Sequence, residues 1–320
     1  MNILRHARAA LAAALILFQP AAPSLALQQD VTPVSRSPSI SLPALPASPT
    51  LALLQLQGAG VGSSSAACVL WTPANLATAP RYIFDPDTFT YSGSNFSSGT
   101  NSGSVGGSYT AESGTVAKGT ALNGHTTLNF TGTQGLLNTG AVWPASTDIF
   151  VFAVANVGTT QGNGLASHSW ATSERTSSTS SWVFYPRGGS AFGGGANEGW
   201  LFNGNTAAII TRGTLFSDTS YHVVYGKTGS QALMAVDGTT ITPTATTGTI
   251  GGPTTSSNFR IGATGPSAAE PLTGLVAYVA ALSNPTTLEA QKYIGWAAWR
   301  FGLQANLPGG FPYAAAPPCQ

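Results

Sequence analysis

The sequence predicts an all-β fold: a jelly-roll β-sandwich of two antiparallel sheets with one C-terminal helix. Two observations carry this. From Trp71 onward, short β-rich runs are broken by Gly, Asn, Ser and Pro, the pattern of a sandwich. One stretch alone in the mature chain, about Thr287 to Phe301, has convincing helical spacing. A lone helix with an apolar face must pack on a sheet, and that sheet must be built mainly from residues upstream.

Residues 1–26 read as a secretory signal peptide. Arg5, His6 and Arg8 give the positive start, Ala9 to Phe18 the apolar run, and Ser24 to Ala26 a small-x-small cleavage site. The alternative is a retained anchor, but the run falls short of the about 20 residues that span a bilayer. Residues 27–67 read as a tether. Pro33, Pro38, Pro43, Pro46 and Pro49 interrupt any helix, and Gly58 to Ala67 is Gly/Ser-rich. Residues 68–320 then form one domain.

Within it, Tyr82 to Phe84 and Phe89 to Tyr91 bracket a turn at Asp85-Pro86-Asp87, and 92–107 reads as a long Ser/Gly/Asn loop. Thr127 to Phe130 is a strand. Asp148 to Ala155 is the strongest strand, and its unbroken apolar run predicts a central position buried on both faces. Gly164 to Trp170 pairs with Trp182 to Tyr185 across a Ser/Thr loop. Trp200 to Phe202 and Ala207 to Thr211 form a hairpin around a two-residue Asn203-Gly204 turn. Tyr221 to Tyr225 pairs with Ala232 to Val236, followed by a strong turn at Asp237-Gly238. Phe259 to Ile261 leads to a strand at 272–282.

The helix is well punctuated. Thr286 and Glu289 have capping-box spacing, Ile294, Ala297, Ala298 and Phe301 make one apolar face, and Gly302 stands where a left-handed cap is wanted. Trp296 and Trp299 read as helix-packing residues. Cys68 and Cys319, the only two cysteines, flank the domain. In an oxidising compartment such a pair is a disulfide candidate. A bridge would clasp the two ends, and closing so long a loop stabilises by about 4–5 kcal/mol in the chain-entropy model. Two free thiols are the alternative.

Only 7% of residues are charged, against about 25% in typical domains. The net charge is +1, and lysine occurs only at 118, 227 and 292. With no basic patch to neutralise a phosphate backbone, nucleic acid is excluded as a partner. A coat of Ser, Thr, Asn and Gly suits an extracellular setting and neutral hydroxylated ligands. It equally suits any secreted β protein.

The run Glu289 to Gln304, then Leu307 to Tyr313 with Pro317-Pro318, resembles the C-terminal signature of concanavalin A-like lectin/glucanase (laminin-G-like) domains. Leu122 to Gly124, Leu128 to Gly132, Tyr221 to Val224, Val236 to Gly238 and Phe259 to Gly262 are similar to the same family, so the resemblance spans about Trp71 to Pro318. The family often has His before the Pro-Tyr pair; here it is Phe311. The resemblance implies a fold, not an activity, because this fold hosts lectins, hydrolases and structural modules.

Glucanases of the family carry Glu-x-Asp-x-x-Glu on one strand, so that carboxylates flank the bond at about 5–5.5 Å. No glutamates here have that spacing. Glu174 and Glu198, near loops, are the one pair that could converge. There is no Gly-x-Ser-x-Gly elbow, His125, His168 and His222 lack metal spacing, and 188–195 lacks the Lys-Ser/Thr of a phosphate loop. Asp85, Asp87 and Asp237 could supply oxygens to a calcium ion, but too few acids cluster to assign one, so no cofactor is expected. Sugar sites pair an aromatic face with planar polar groups. Trp170, Arg175, Trp182, Tyr185, Arg187, Asn197 and Trp200 concentrate those types and are the candidate ligand-binding residues; Trp182 and Trp200 have core packing as their alternative. The leading expectation is a secreted, non-catalytic glycan-binding or adhesion protein, with glycan or cell-surface proteins as partners. The alternatives are a structural or interaction module of a cell surface or phage tail, and a divergent glycoside hydrolase.

Overall fold

The computed structural model describes residues 68–144, 148–157, 171–172, 182–188, 198–203, 207–211, 220–227, 233–241, 245–247, 258–263, 272–283 and 285–320. At 171–172, 182–183, 185–188, 198–203, 207–211, 227, 233, 241 and 245–247 it describes the backbone alone. The expectations for 1–26 and 27–67 lie outside these residues.

In chain order the strands are β1 Tyr82–Phe84, β2 Thr90–Ser92, β3 Asn95–Thr100, β4 Ser108–Ser113, β5 Ala117–Lys118, β6 Leu128–Thr131, β7 Gly135–Asn138, β8 Phe150–Val157 and β9 Ala171–Thr172. They continue as β10 Trp182–Gly188, β11 Glu198–Asn203, β12 Ala207–Thr211, β13 His222–Lys227, β14 Leu233–Val236, β15 Thr239–Ile241, β16 Ala245–Thr247, β17 Arg260–Ile261 and β18 Thr273–Leu282. The one α-helix among the described residues, α1 Thr287–Arg300, follows. All pairings are antiparallel, and they make a jelly-roll sandwich. The first sheet runs β15-β14-β13-β8-β18; beyond β18, β6 pairs with its first half and β1 with its second, and β5, β3 and β2 continue from β6. The second runs β3-β4-β7-β17-β9-β10-β11-β12-β16. Strand β3 belongs to both, pairing Asn95 with Ala117 in one and Gly99 with Tyr109 in the other.

Two cores follow from strand alternation. Along β8, Val151, Ala153, Ala155 and Val157 face the space between the sheets, while Phe150, Phe152 and Val154 face the helix. This strand lies between β13 and β18, so the unbroken apolar run does mark a central strand covered on both faces. In β18 the register slips between Val276 and Tyr278. Val276 faces the inter-sheet core, and past the slip Tyr278, Ala280 and Leu282 face the helix.

The helix forms as its caps dictate. Glu289 N–H donates to Thr286 Oγ1 at 3.2 Å, and Glu289 Oε2 accepts from Thr286 N–H at 2.8 Å. At the other end Gly302 has φ +71°. Leu303 N–H reaches Ala298 O at 2.7 Å and Gly302 N–H reaches Trp299 O at 3.4 Å, a Schellman pair. Ile294, Ala297, Ala298 and Phe301 are all buried against the first sheet. Cys68 and Cys319 are disulfide-bonded, Cα atoms 5.5 Å apart. Trp71 N–H to Pro318 O and Gln320 N–H to Val69 O, both 2.9 Å, make the two ends a short ladder.

Two expectations are corrected. The stretch 92–107 is not all loop: it contains β3, with Phe96 buried. A Cβ at Gly99 would lie 2.4 Å from Cδ1 of Phe89, so this glycine is there for close approach of a ring to a strand, not as a turn residue. The connection after Trp200 to Phe202 is not a two-residue turn. Asn203 pairs with Ala207, which leaves three residues between them.

Candidate functional site

A groove of about 370 Å³ opens between α1, the turn joining β14 to β15, and the segment 308–312. It begins with the turn. Asp237 (φ +48°) and Gly238 (φ +81°) both adopt the left-handed conformation that a tight hairpin of this kind requires. Asp237 is pinned through its side chain: Oδ1 accepts from Val223 N–H at 2.8 Å, and Oδ2 lies 2.6 Å from His222 Nδ1. His222 is thus a partly covered strand residue with a structural partner. Gly238 lies beneath a ring. A Cβ there would be 2.7 Å from Cδ2 of Phe311, so the phenyl group rests on bare backbone.

Phe150 and Tyr225, ring centroids 5.4 Å apart, form the buried floor with Ile294. Burial raises the pKa of the Tyr225 hydroxyl, against a smaller opposing pull from its hydrogen bond with Thr240, so it stays a neutral group at physiological pH. Thr240, Thr287 and Gln291 stand at the rim. Among the described residues the Gln291 amide has no hydrogen-bond partner, which leaves it available to a ligand. Phe311, half-covered, presents the accessible ring. Such a mix of ring faces and a few fixed polar groups suits a small hydroxylated ring.

A second hollow, about 320 Å³, lies between Leu70, Trp71, Trp296, Trp299 and Pro317-Pro318. Trp296 packs edge-on against Tyr278 and Tyr293 at 5.3 and 5.6 Å, and Trp299 Nε1–H donates to Tyr313 O at 2.9 Å. Both tryptophans brace the helix, as their spacing predicts, while also walling this hollow.

The acids envisaged for calcium are occupied otherwise. Arg300 Nη2 is 2.9 Å from Asp85 Oδ2 and 2.9 Å from Asp87 Oδ2. Burial pushes the Asp87 carboxyl upward, but hydrogen bonds from Thr126 N–H at 2.7 Å, His125 and Arg300 outweigh it and hold its pKa below the ordinary value. Asp237 belongs to the β14–β15 turn with His222, apart from this cluster. No group of three metal-ligating side chains that could hold an ion occurs among the described residues.

Of the candidate sugar-binding residues, Trp170, Arg175 and Asn197 lie outside the described residues. Trp182, Tyr185 and Arg187 fall on β10 and Trp200 on β11, where the backbone alone is described. The register pairs Tyr185 with Trp200, so those two positions share a face of the second sheet, opposite the position of the core residue Phe184. Of the proposed carboxylate pair, Glu174 lies outside the described residues and Glu198 is described by its backbone. Sequence reasoning missed the groove. Its one signal was Phe311, noted as a departure from a motif.

No family model and no curated relative matches the chain. Among solved structures it is similar to domain 4 of AbnA, a GH43 extracellular arabinanase from Geobacillus stearothermophilus in complex with arabinotriose. The identity is 11%, over 65% of this chain and 94% of that one, with TM-score 0.42. It is similar to the CBM40 of Ruminococcus gnavus IT-sialidase bound to α2,6 sialyllactose, at 13% identity over 45% and 80% of the two chains, TM-score 0.33. It is also similar to Trypanosoma rangeli sialidase, at 13% identity over 75% of this chain and 36% of that one, TM-score 0.36. These likenesses are partial, and the architecture above rests on the strand pairings themselves.

Proposed function

We propose that the protein is a secreted, non-catalytic carbohydrate-binding or adhesion protein of the concanavalin A-like lectin type, and that the groove beside α1 is its ligand site. One observation carries the reading: accessible Phe311 and an unpartnered Gln291 amide border a cavity whose size falls within the roughly 300–1,000 Å³ of small-molecule sites. Of the six acids described with their side chains, all but Asp148 have structural partners, which supports a role without hydrolysis. Asp85 and Asp87 are held by Arg300, Glu289 caps α1, Asp237 pins a turn, and Glu112 receives Arg260 side-on at 2.6 and 2.7 Å. None of these is free to pair with another carboxylate across a glycosidic bond. The disulfide supports an oxidising compartment. No helix among the described residues is long and apolar enough to cross a membrane.

A glycan array probed with the full chain tests this. Binding to a coherent set of sugars is expected, without release of reducing ends. An array silent across all glycans overturns it. A second reading, an interaction module with no sugar site, is favoured by the hollow beside Trp71. Leu70, which lines it, is 57% exposed, and its chain neighbour Val69 is 59% exposed. Capture of a protein partner that is lost on Leu70→Asp, together with the silent array, would select it.

A further inference from the structure

We infer that the groove takes a neutral sugar chain, one ring face lying on Phe311 and its hydroxyls read by the amide of Gln291. This rests on the carbohydrate reading above and names the class of sugar. The groove's described side chains are rings, prolines, small aliphatics, two threonines and one amide, with no charge among them. A sugar carboxylate or sulfate buried here would lose water without gaining a cation, a desolvation cost that binding would have to overcome.

The charges near the helix point elsewhere. Lys292 follows Gln291, about 100° further around the helix axis, and does not line the groove. Arg300 lines the other hollow and is already bound by Asp85 and Asp87. Among the described residues two charged positions stand beside the groove: Asp237, in the turn next to Gly238 and already bound by Val223 N–H and His222, and Lys227, the register partner of Phe150, which is described by its backbone. The test therefore includes Lys227.

Gln291 is mounted on the helix rather than on a loop, so its stem leaves a rigid backbone at the groove while the unpartnered amide can turn to meet a ligand. An amide offers both donor and acceptor, which matches a hydroxyl pair; with a carboxylate its NH2 could donate but its oxygen would find no donor. Phe311 in turn is placed by Gly238, the one residue type that leaves room for its ring on the turn. With no ion pair in the contact, affinity should be nearly independent of salt.

The test is native affinity electrophoresis of the full chain. Gels carry a neutral polysaccharide (β-glucan, mannan, arabinan or galactan) or an acidic one (polygalacturonate, alginate or polysialic acid). We expect retardation in at least one neutral gel and in no acidic gel, changing less than about twofold between low and high salt. Phe311→Ala and the shape-conserving Gln291→Glu should each weaken it about tenfold or more, with the melting temperature of Gln291→Glu unchanged. Retardation only in acidic gels overturns the neutral assignment and leaves carbohydrate binding standing; its loss in Lys227→Gln would then name the cation. Neutral retardation that survives both groove variants overturns the groove as the site. Silence in every gel brings down the carbohydrate reading and this inference with it.

Discussion

The hydroxyls of Tyr278 and Tyr293 meet at 2.8 Å, both buried, and join the central strand β18 to α1 inside an otherwise apolar layer. Burial is the main cause that raises both pKa values above the ordinary tyrosine value, so the pair stays neutral. Each hydroxyl is satisfied by the other. Removing one leaves the other as a buried polar group, at about 1–3 kcal/mol. Tyr278→Phe and Tyr293→Phe should each destabilise by that order. The double variant should be no worse than either single one, as measured by chemical denaturation. Strict additivity would show that the two hydroxyls do not depend on one another.

The cluster around Arg300 ties the β1–β2 connection to the end of the helix, and its pH dependence has a definite sign. Asp87 has a folded pKa below its unfolded value, about 3.9. Its contribution is therefore fully present above that unfolded value and is lost as pH falls through the folded one. Asp87→Asn should lower the melting temperature at pH 6 and flatten its fall between about pH 4 and 2. A variant with the parent's acid limb would remove Asp87 from the account.

Gly238→Ala tests the placement of Phe311. The substitution forces a non-glycine residue into φ +81° and puts a methyl 2.7 Å from the ring. We expect a loss of about 1–2 kcal/mol in stability. Glycan affinity should fall as it does in Phe311→Ala, because in both the ring has left its seat. Full affinity in Gly238→Ala would show that the ring's seat does not matter.

Reduction of Cys68–Cys319 opens a loop whose ends are separated by 251 positions in sequence. Cys68→Ser with Cys319→Ser should cost about 2–5 kcal/mol, less if strain or residual structure intervenes. The short ladder at Trp71 and Val69 should fray first, read as early hydrogen exchange at Trp71 and Gln320.

Much of the architecture was legible because the signals were local. Thr286, Glu289 and Gly302 state where the helix starts and stops, and the unbroken apolar run of β8 states that both its faces are covered. The Asp237-Gly238 dipeptide states its own turn. Strand β3 was not legible: Phe96 is its one large apolar residue, and Gly99 looks like a loop residue until Phe89 is seen lying on it. The groove was less legible still. Phe150, Gly238, Gln291 and Phe311 are scattered over more than half of the domain, and no periodicity links a helix amide to a tail phenylalanine. Only tertiary packing brings them together.

The bridge between Cys68 and Cys319 has a further consequence for how the molecule can be taken apart. It makes residues 68–319 a covalently closed circuit. A single proteolytic cut at any exposed link in that circuit opens it without freeing a piece, and the cleaved molecule keeps its pieces joined on a non-reducing gel. Shedding a fragment takes either a second cut or a thiol.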